Sequence, residues 1–178
     1  TAIAGSKDES VLVPAGRIFA ASRQQREIDA IPKILSNQFE PQKRAYGRIV
    51  DGLDYLSRER YVDAADSLKA AIKFADVWLA RFYLGVAYEM AGRHGEAISE
   101  LEICFKRRGE ATALFIDEVP TYRYLAPLPY WLARAQEGLG QSAQAKANYE
   151  AFLAQKKERT KDPLVSDARK RLELLTTP

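Results

Sequence analysis

Gly52 and Gly85, Tyr55 and Tyr88, and Ala64 and Ala97 each stand 33 residues apart (85 from 52, 88 from 55, 97 from 64). No other feature constrains the fold as tightly, because self-similarity at a period of roughly 20 to 50 residues marks a stacked supersecondary unit. A third copy lies in WLARAQEGLGQSAQAKANYEAFL. There Ala133 takes the place of the glycines and Ala145 that of Ala97, at an interval of 48 (133 from 85, 145 from 97), so about 15 extra residues separate it from the second copy. A glycine inside a helix costs about 1 kcal/mol relative to alanine. A small residue kept in register therefore implies that two helices approach closely at Gly85 and Ala97, with Tyr88, Leu101 and Cys104 filling the space beside them.

Apolar residues recur near the helical period along most of the chain, and no segment alternates as a strand does over several residues. The class is all-α. Helices are expected over 41–57, 61–74, 77–91, 95–108, 128–139, 143–157 and 163–175. Pro41 suits a first helical turn, and Asp162 before Pro163 is an N-cap followed by an N1 proline. This organisation places an N-terminal, partly helical extension at 1–40, repeated helix pairs over 41–158 with an insertion near 110–127, and a capping helix at 159–178. In a stacked array, such a cap shields the last apolar face.

The repeated residues resemble the tetratricopeptide repeat (TPR) family, whose pattern is W-x2-L-G-x2-Y, then A-x3-F, then P, over about 34 residues. Leu84, Gly85 and Tyr88 match its first helix and Ala97 its second. Arg81 replaces the tryptophan, Leu101 the phenylalanine, and no proline closes the repeat. Asp51 stands where the first copy should have leucine, and Gln136 where the third should have tyrosine. The resemblance covers about residues 44–153 and implies an α-solenoid of about three helix-turn-helix pairs. A second stretch, Lys106 to Gly140, resembles a segment in the TPR tails of bacterial signalling proteins, among them eukaryotic-like serine/threonine kinases and winged-helix regulators. No kinase glycine-rich loop or HRD motif accompanies it, so the resemblance implies a sensor or scaffold part without the kinase.

TPR arrays bind extended peptides in a concave groove lined by their first helices, which the resemblance implies here for the helices beginning near Pro41, Val77 and Leu128. On the first, Tyr46, Ile49, Leu53 and Leu56 share a face; on the second, Leu79, Phe82, Val86 and Met90 do so; on the third, Tyr130, Arg134 and Glu137 form a more polar set. Two adjacent apolar stripes make a patch that monomers rarely leave bare, so either a partner covers it or the chain does. Ile28, Ile31 and Leu35, in a helix that Asp29 and Pro32 can start, are one candidate cover. The insertion, with Phe115, Ile116, Tyr122, Tyr124 and Leu125, is either packing between repeats or a binding lip built from Tyr122, Arg123 and Tyr124. Pro120, Pro127 and Pro129 prevent it from forming one helix, and APLPYW also offers a proline-type ligand.

Chemistry is sparsely represented. His94 is the single histidine and sits in the turn AGRHGEA, and Cys104 is the single cysteine, on an inward face, so zinc ligation and a disulfide have no basis and no cofactor is expected. Asp117 and Glu118 are adjacent and diverge on a helix, which suits a solvated turn better than a paired acid and base. Lys106, Arg107 and Arg108 complement a helix C-terminus that Gly109 can cap, or else clamp an acidic ligand together with Arg123. The net charge is +3 with both signs interspersed, which argues against nucleic acid, and no apolar run is long enough to span a membrane. The chain starts at Thr1, as a processed or excised piece would; the compartment stays open, with the cytoplasm slightly favoured and an upstream targeting segment allowed. The expectation is a non-catalytic scaffold for a protein or peptide partner, with homo-oligomerisation, or service as an accessory domain of an enzyme acting on peptides or sugars, as alternatives.

Overall fold

The computed structural model describes residues 5–112, 119, 121–156 and 161–176, with Thr112 and Tyr122 described by backbone only. Among the described residues the chain forms the helices α1 (Glu9–Ala21), α2 (Gln25–Ser36), α3 (Pro41–Ser57), α4 (Tyr61–Phe74), α5 (Trp78–Met90), α6 (His94–Lys106), α7 (Arg108–Thr112), α8 (Leu128–Gly138), α9 (Ser142–Ala154) and α10 (Pro163–Thr176), with a 3-10 helix at Tyr122–Tyr124. All the helices expected from the sequence are present, to within two or three residues at their ends. Asp162 Oδ1 accepts from the Leu164 amide at 3.0 Å at the start of α10.

Helices pack in chain order, as in a helical repeat. α3 pairs with α4, α5 with α6 and α8 with α9; each second helix then meets the next first helix, and first helices lie side by side. The glycine expectation holds at atomic level. A Cβ placed on Gly85 would lie 2.6 Å from Leu101 Cγ, and one on Gly52 would lie 2.9 Å from Leu68 Cγ. Trp78 donates from Nε1 to the Cys104 carbonyl at 2.9 Å and so ties α5 to α6. Arg81, one turn further along α5, spans Asp76 and Glu100.

The N-terminal extension forms a further helix pair, α1 and α2, stacked on α3. α1 and α2 pack on each other and on α3, as α3 and α4 pack on each other and on α5. A residue with positive φ recurs seven positions after each small residue of a first helix: Arg23 after Gly16, Glu59 after Gly52, Gly92 after Gly85 and Gly140 after Ala133. The following amide donates in each case to the carbonyl five residues back, Gln24 to Phe19, Arg60 to Tyr55, Arg93 to Tyr88 and Gln141 to Gln136, at 2.8 to 2.9 Å. Four turns thus share one left-handed geometry. α2 starts at Gln25, before Asp29, and carries Pro32 in its interior. Burial of Ile28, Ile31 and Leu35 outweighs the proline, which costs about 3 kcal/mol in a helix interior. α1, whose N-cap Asp8 accepts from the Ser10 amide at 2.8 Å, was not expected as a separate helix.

α10 packs on α9 and closes a second core made of Tyr130, Ala133, Ala145, Tyr149, Phe152, Val165 and Ala168. Gly109 does not cap α6 in a left-handed conformation: the chain turns at Arg107 and re-enters a helix, α7, that includes Gly109. Arg107 bonds Glu110 Oε1 at 2.7 Å and Asp76 Oδ1 at 3.0 Å, fastening α7 to the loop between α4 and α5.

Three substitutions test this description. Gly85→Ala should lower stability by about 1 to 3 kcal/mol through overpacking against Leu101, and Leu101→Ala should cost less in that chain than it costs alone. Glu59→Gly should raise stability by about 1 kcal/mol, because glycine removes the penalty of the left-handed turn that Gly92 and Gly140 already avoid. Urea midpoints at constant m-value report all three.

Candidate functional site

First helices α1, α3, α5 and α8 stand side by side, so the residues expected to line a groove converge on one region. They do not line an open groove. Tyr46, Ile49 and Leu53 on α3 and Phe82 and Val86 on α5 are all buried, and from Trp78 to Glu89 only Arg81 is even partly exposed. The cause is the hydrophobic drive to cover adjoining apolar stripes. The cover comes from the neighbouring first helices and from the segment before α8: Tyr124 lays its ring 5.3 Å from Phe82 and 5.4 Å from Tyr83, and Val119 and Thr121 are buried beside it. Ile28, Ile31 and Leu35 are buried as well, but in the α1–α2–α3 stack, where Leu35 faces Gly47 and Ile31 approaches Gly16. A cleft of roughly 340 Å³ remains between the starts of α3 and α5, floored by Tyr46, Trp78 and Leu79 and rimmed by Gln42, Asp76 and Glu110.

The other end of the region is polar and partly open. Met90, the last residue of the α5 stripe, is half-buried there and receives Arg134 Nη1 on its sulfur at 3.9 Å. Arg134 Nη2 reaches Glu89 Oε1 at 3.0 Å, linking the second and third of the sequence-predicted pairs. Tyr130 donates to Asp167 Oδ2 at 2.8 Å, Arg171 donates to the same oxygen at 2.7 Å and to Glu137 Oε2 at 3.1 Å, and Tyr149 donates to Glu137 Oε2 at 2.6 Å. The structure therefore brings Tyr130, Arg134 and Glu137 together and adds Glu89, Tyr149, Asp167 and Arg171. Glu89 had a signal: it stands four residues after Gly85, as Glu137 stands four after Ala133. The face that α10 would turn inward had none.

Burial sets the electrostatics. Glu89 is 4% exposed, and burial pushes its carboxyl above the usual range although Arg134 pulls it down. Burial together with the Asp167 acceptor takes Tyr130 up to about 12, and burial with Glu137 raises Tyr149 as well. At Asp167 burial likewise pushes the carboxyl up, but hydrogen bonds from Tyr130 and Arg171 and the Arg171 charge prevail and hold it low. Glu89 Oε2, His94 Nδ1 and Arg134 Nε are buried without a hydrogen-bond partner among the described residues, so the junction of α5, α6 and α8 carries an uncompensated polar cost. His94 is not a free turn residue. It opens α6 and presses its ring on Gly138, where any added Cβ would collide with the imidazole.

The remaining candidates resolve simply. Cys104 is buried, and burial raises its thiol to about 12, as for a small core residue. Arg107 is taken up by Asp76 and Glu110 and Arg108 lies over the Phe105 ring, so no clamp with Arg123 forms among the described residues. Arg123 is exposed with its guanidinium 6.0 Å from the Tyr124 ring, while Tyr124 turns inward, so the expected lip is split between two directions. Pro127 and Pro129 start α8. Phe115, Ile116, Asp117, Glu118 and Pro120 lie outside the described residues. Among the described residues no group of three or more His, Cys, Asp or Glu side chains could hold a metal ion, and no helix is long and apolar enough to cross a membrane. Comparison with family models, with curated proteins and with solved structures gave no match.

Arg134→Met should destabilise the chain by about 2 to 3 kcal/mol at neutral pH, below the 3 to 5 typical of a fully buried pair because the arginine is partly exposed. The loss has a defined pH sense. Glu89 has a raised folded-state value, so its protonated form is the better tolerated one, and the destabilisation should shrink as pH falls from 7.5 into the acid range and Glu89 takes up a proton. Urea midpoints of both chains across that range measure the difference.

Proposed function

We propose that the protein is a non-catalytic scaffold of TPR type that binds a protein or an extended peptide along its first helices, as an adaptor or as part of a larger bacterial signalling protein. The observation that carries this reading is the recurrence of one turn geometry in four helix pairs, which lays α1, α3, α5 and α8 alongside one another. A face assembled from equivalent positions of successive units reads an extended chain step by step, which is how helical arrays use their curvature. The sequence resemblance at Leu84, Gly85, Tyr88 and Ala97 supports the family, and that of Lys106 to Gly140 supports the signalling context.

The polar end supports binding over catalysis. Arg171 engages both Glu137 and Asp167, and Arg134 engages Glu89, so the carboxylates there are neutralised by arginines and not poised as free bases. Arg134 and Glu137, partly exposed beside the buried Tyr130, present charged groups to a partner, and arginine is among the residues that anchor peptide interfaces.

Selection of a random-peptide display library on the full chain tests the reading, with enriched sequences synthesised and titrated by calorimetry. The expected result is a shared sequence pattern whose affinity falls at least tenfold in Arg134→Glu. Absence of any enriched pattern, or affinities unchanged by Arg134→Glu and by Arg123→Ala alike, would overturn it.

A further inference from the structure

Tyr124 has a setting that suits neither the core of a helix pair nor a surface lip. It ends a three-residue 3-10 helix, yet it is only 8% exposed, with its ring seated on Phe82 and Tyr83. The seat is built independently of it. Phe82 stacks on Trp78 with ring centroids 5.5 Å apart and planes 10° from parallel, and Trp78 is fixed to α6 through the Cys104 carbonyl.

Tyr124 itself is lightly held. Its amide donates to Thr121 O at 2.8 Å, Thr121 Oγ1 reaches Ala111 O at a long 3.5 Å, and no backbone hydrogen bond among the described residues joins Tyr122–Tyr124 to α1, α3 or α5. A rigid aromatic seat filled by one ring on a short segment with few hydrogen bonds among the described residues is the arrangement of a peptide anchor in its pocket. Segments held this way open at low free energy. The occupied stretch also belongs to the part of the chain that departs from the repeat, between the second and third sequence-predicted pairs.

Resting on the scaffold reading above, we propose that the Phe82–Tyr83 seat is the anchor subsite of the binding face and that Tyr124 fills it in the free protein as an intramolecular ligand. The partner is then a peptide that inserts an aromatic side chain in place of Tyr124. Competition is set by effective concentration: a tethered anchor acts at a concentration on the order of millimolar, so a partner with additional contacts along α8 displaces it while a bare aromatic does not.

The test uses the full chain, ¹⁵N-labelled, as wild type and as Tyr124→Ala, titrated into the millimolar range with a synthetic peptide of sequence TYRYLAP, residues 121–127. The same peptide with alanine at the second tyrosine is the control. Tyr124→Ala should show saturable shifts at the Phe82 and Tyr83 amides, wild type should respond at least tenfold more weakly, and the control peptide should give none. Equal responses of the two chains, or no response from a folded Tyr124→Ala, overturn the proposal. So does loss of helical circular dichroism in Tyr124→Ala, since a displaceable occupant has to be removable without unfolding the array. Display-selected peptides that bind both chains equally leave the scaffold standing and remove the intramolecular ligand; selected peptides that bind neither remove both.

Discussion

The contact between the small residue of each first helix and the second helix that folds back on it is the interaction on which the remaining structure depends. At Gly85 and Gly52 the backbone comes so near Leu101 and Leu68 that a single added carbon would overlap the leucine branch. That approach sets the distance within a pair, and the left-handed residue seven positions on sets the direction in which the second helix returns. With both fixed, a pair has little freedom, and stacking pairs places the first helices on one side in the order α1, α3, α5, α8. The long-range architecture is the sum of a short-range geometry repeated, which is why packing in such arrays is largely nearest-neighbour in character.

α5 shows what this arrangement does to chemistry. It is hemmed in by α4, α6, α3 and α8, so nearly its whole surface is removed from water, and its one buried carboxylate, Glu89, has to find its counter-charge on the next first helix, at Arg134. The same logic continues outward. Glu137 on α8 takes Tyr149 from its own pair and Arg171 from α10, so this carboxylate is matched by groups on two neighbouring helices. The apolar residues around Tyr46, Phe82 and Tyr130 supply most of the driving force.

Much of the fold was legible beforehand, because helix pairing in this chain is local and written in periodicity, capping residues and the 33-residue recurrence. The N-terminal pair was not. Gly16 and Phe19 repeat the glycine and aromatic spacing of Gly52 and Tyr55, but Ile28 stands where the other pairs have alanine and Pro32 where two of them have leucine, so the match fades in the second helix. Its turn also uses Arg23 in a conformation that glycine adopts more readily, which hides the turn from a reading based on composition.

For the candidate site, the sequence by itself determined which residues share a helical face, because spacing of three and four along a helix is a property of one segment: Tyr46 with Ile49 and Leu53, Phe82 with Val86 and Met90, Tyr130 with Arg134 and Glu137. Whether those faces meet water depends on segments far away in the chain, and only the tertiary structure decided it. Tyr124 reaches back some 40 residues to sit on Phe82 and Tyr83, and Asp167 and Arg171 reach back from the last helix to Tyr130 and Glu137. Periodicity carries no information about contacts of that range, whose cost in chain entropy is repaid by burying apolar rings and by pairing charges that would otherwise be stranded.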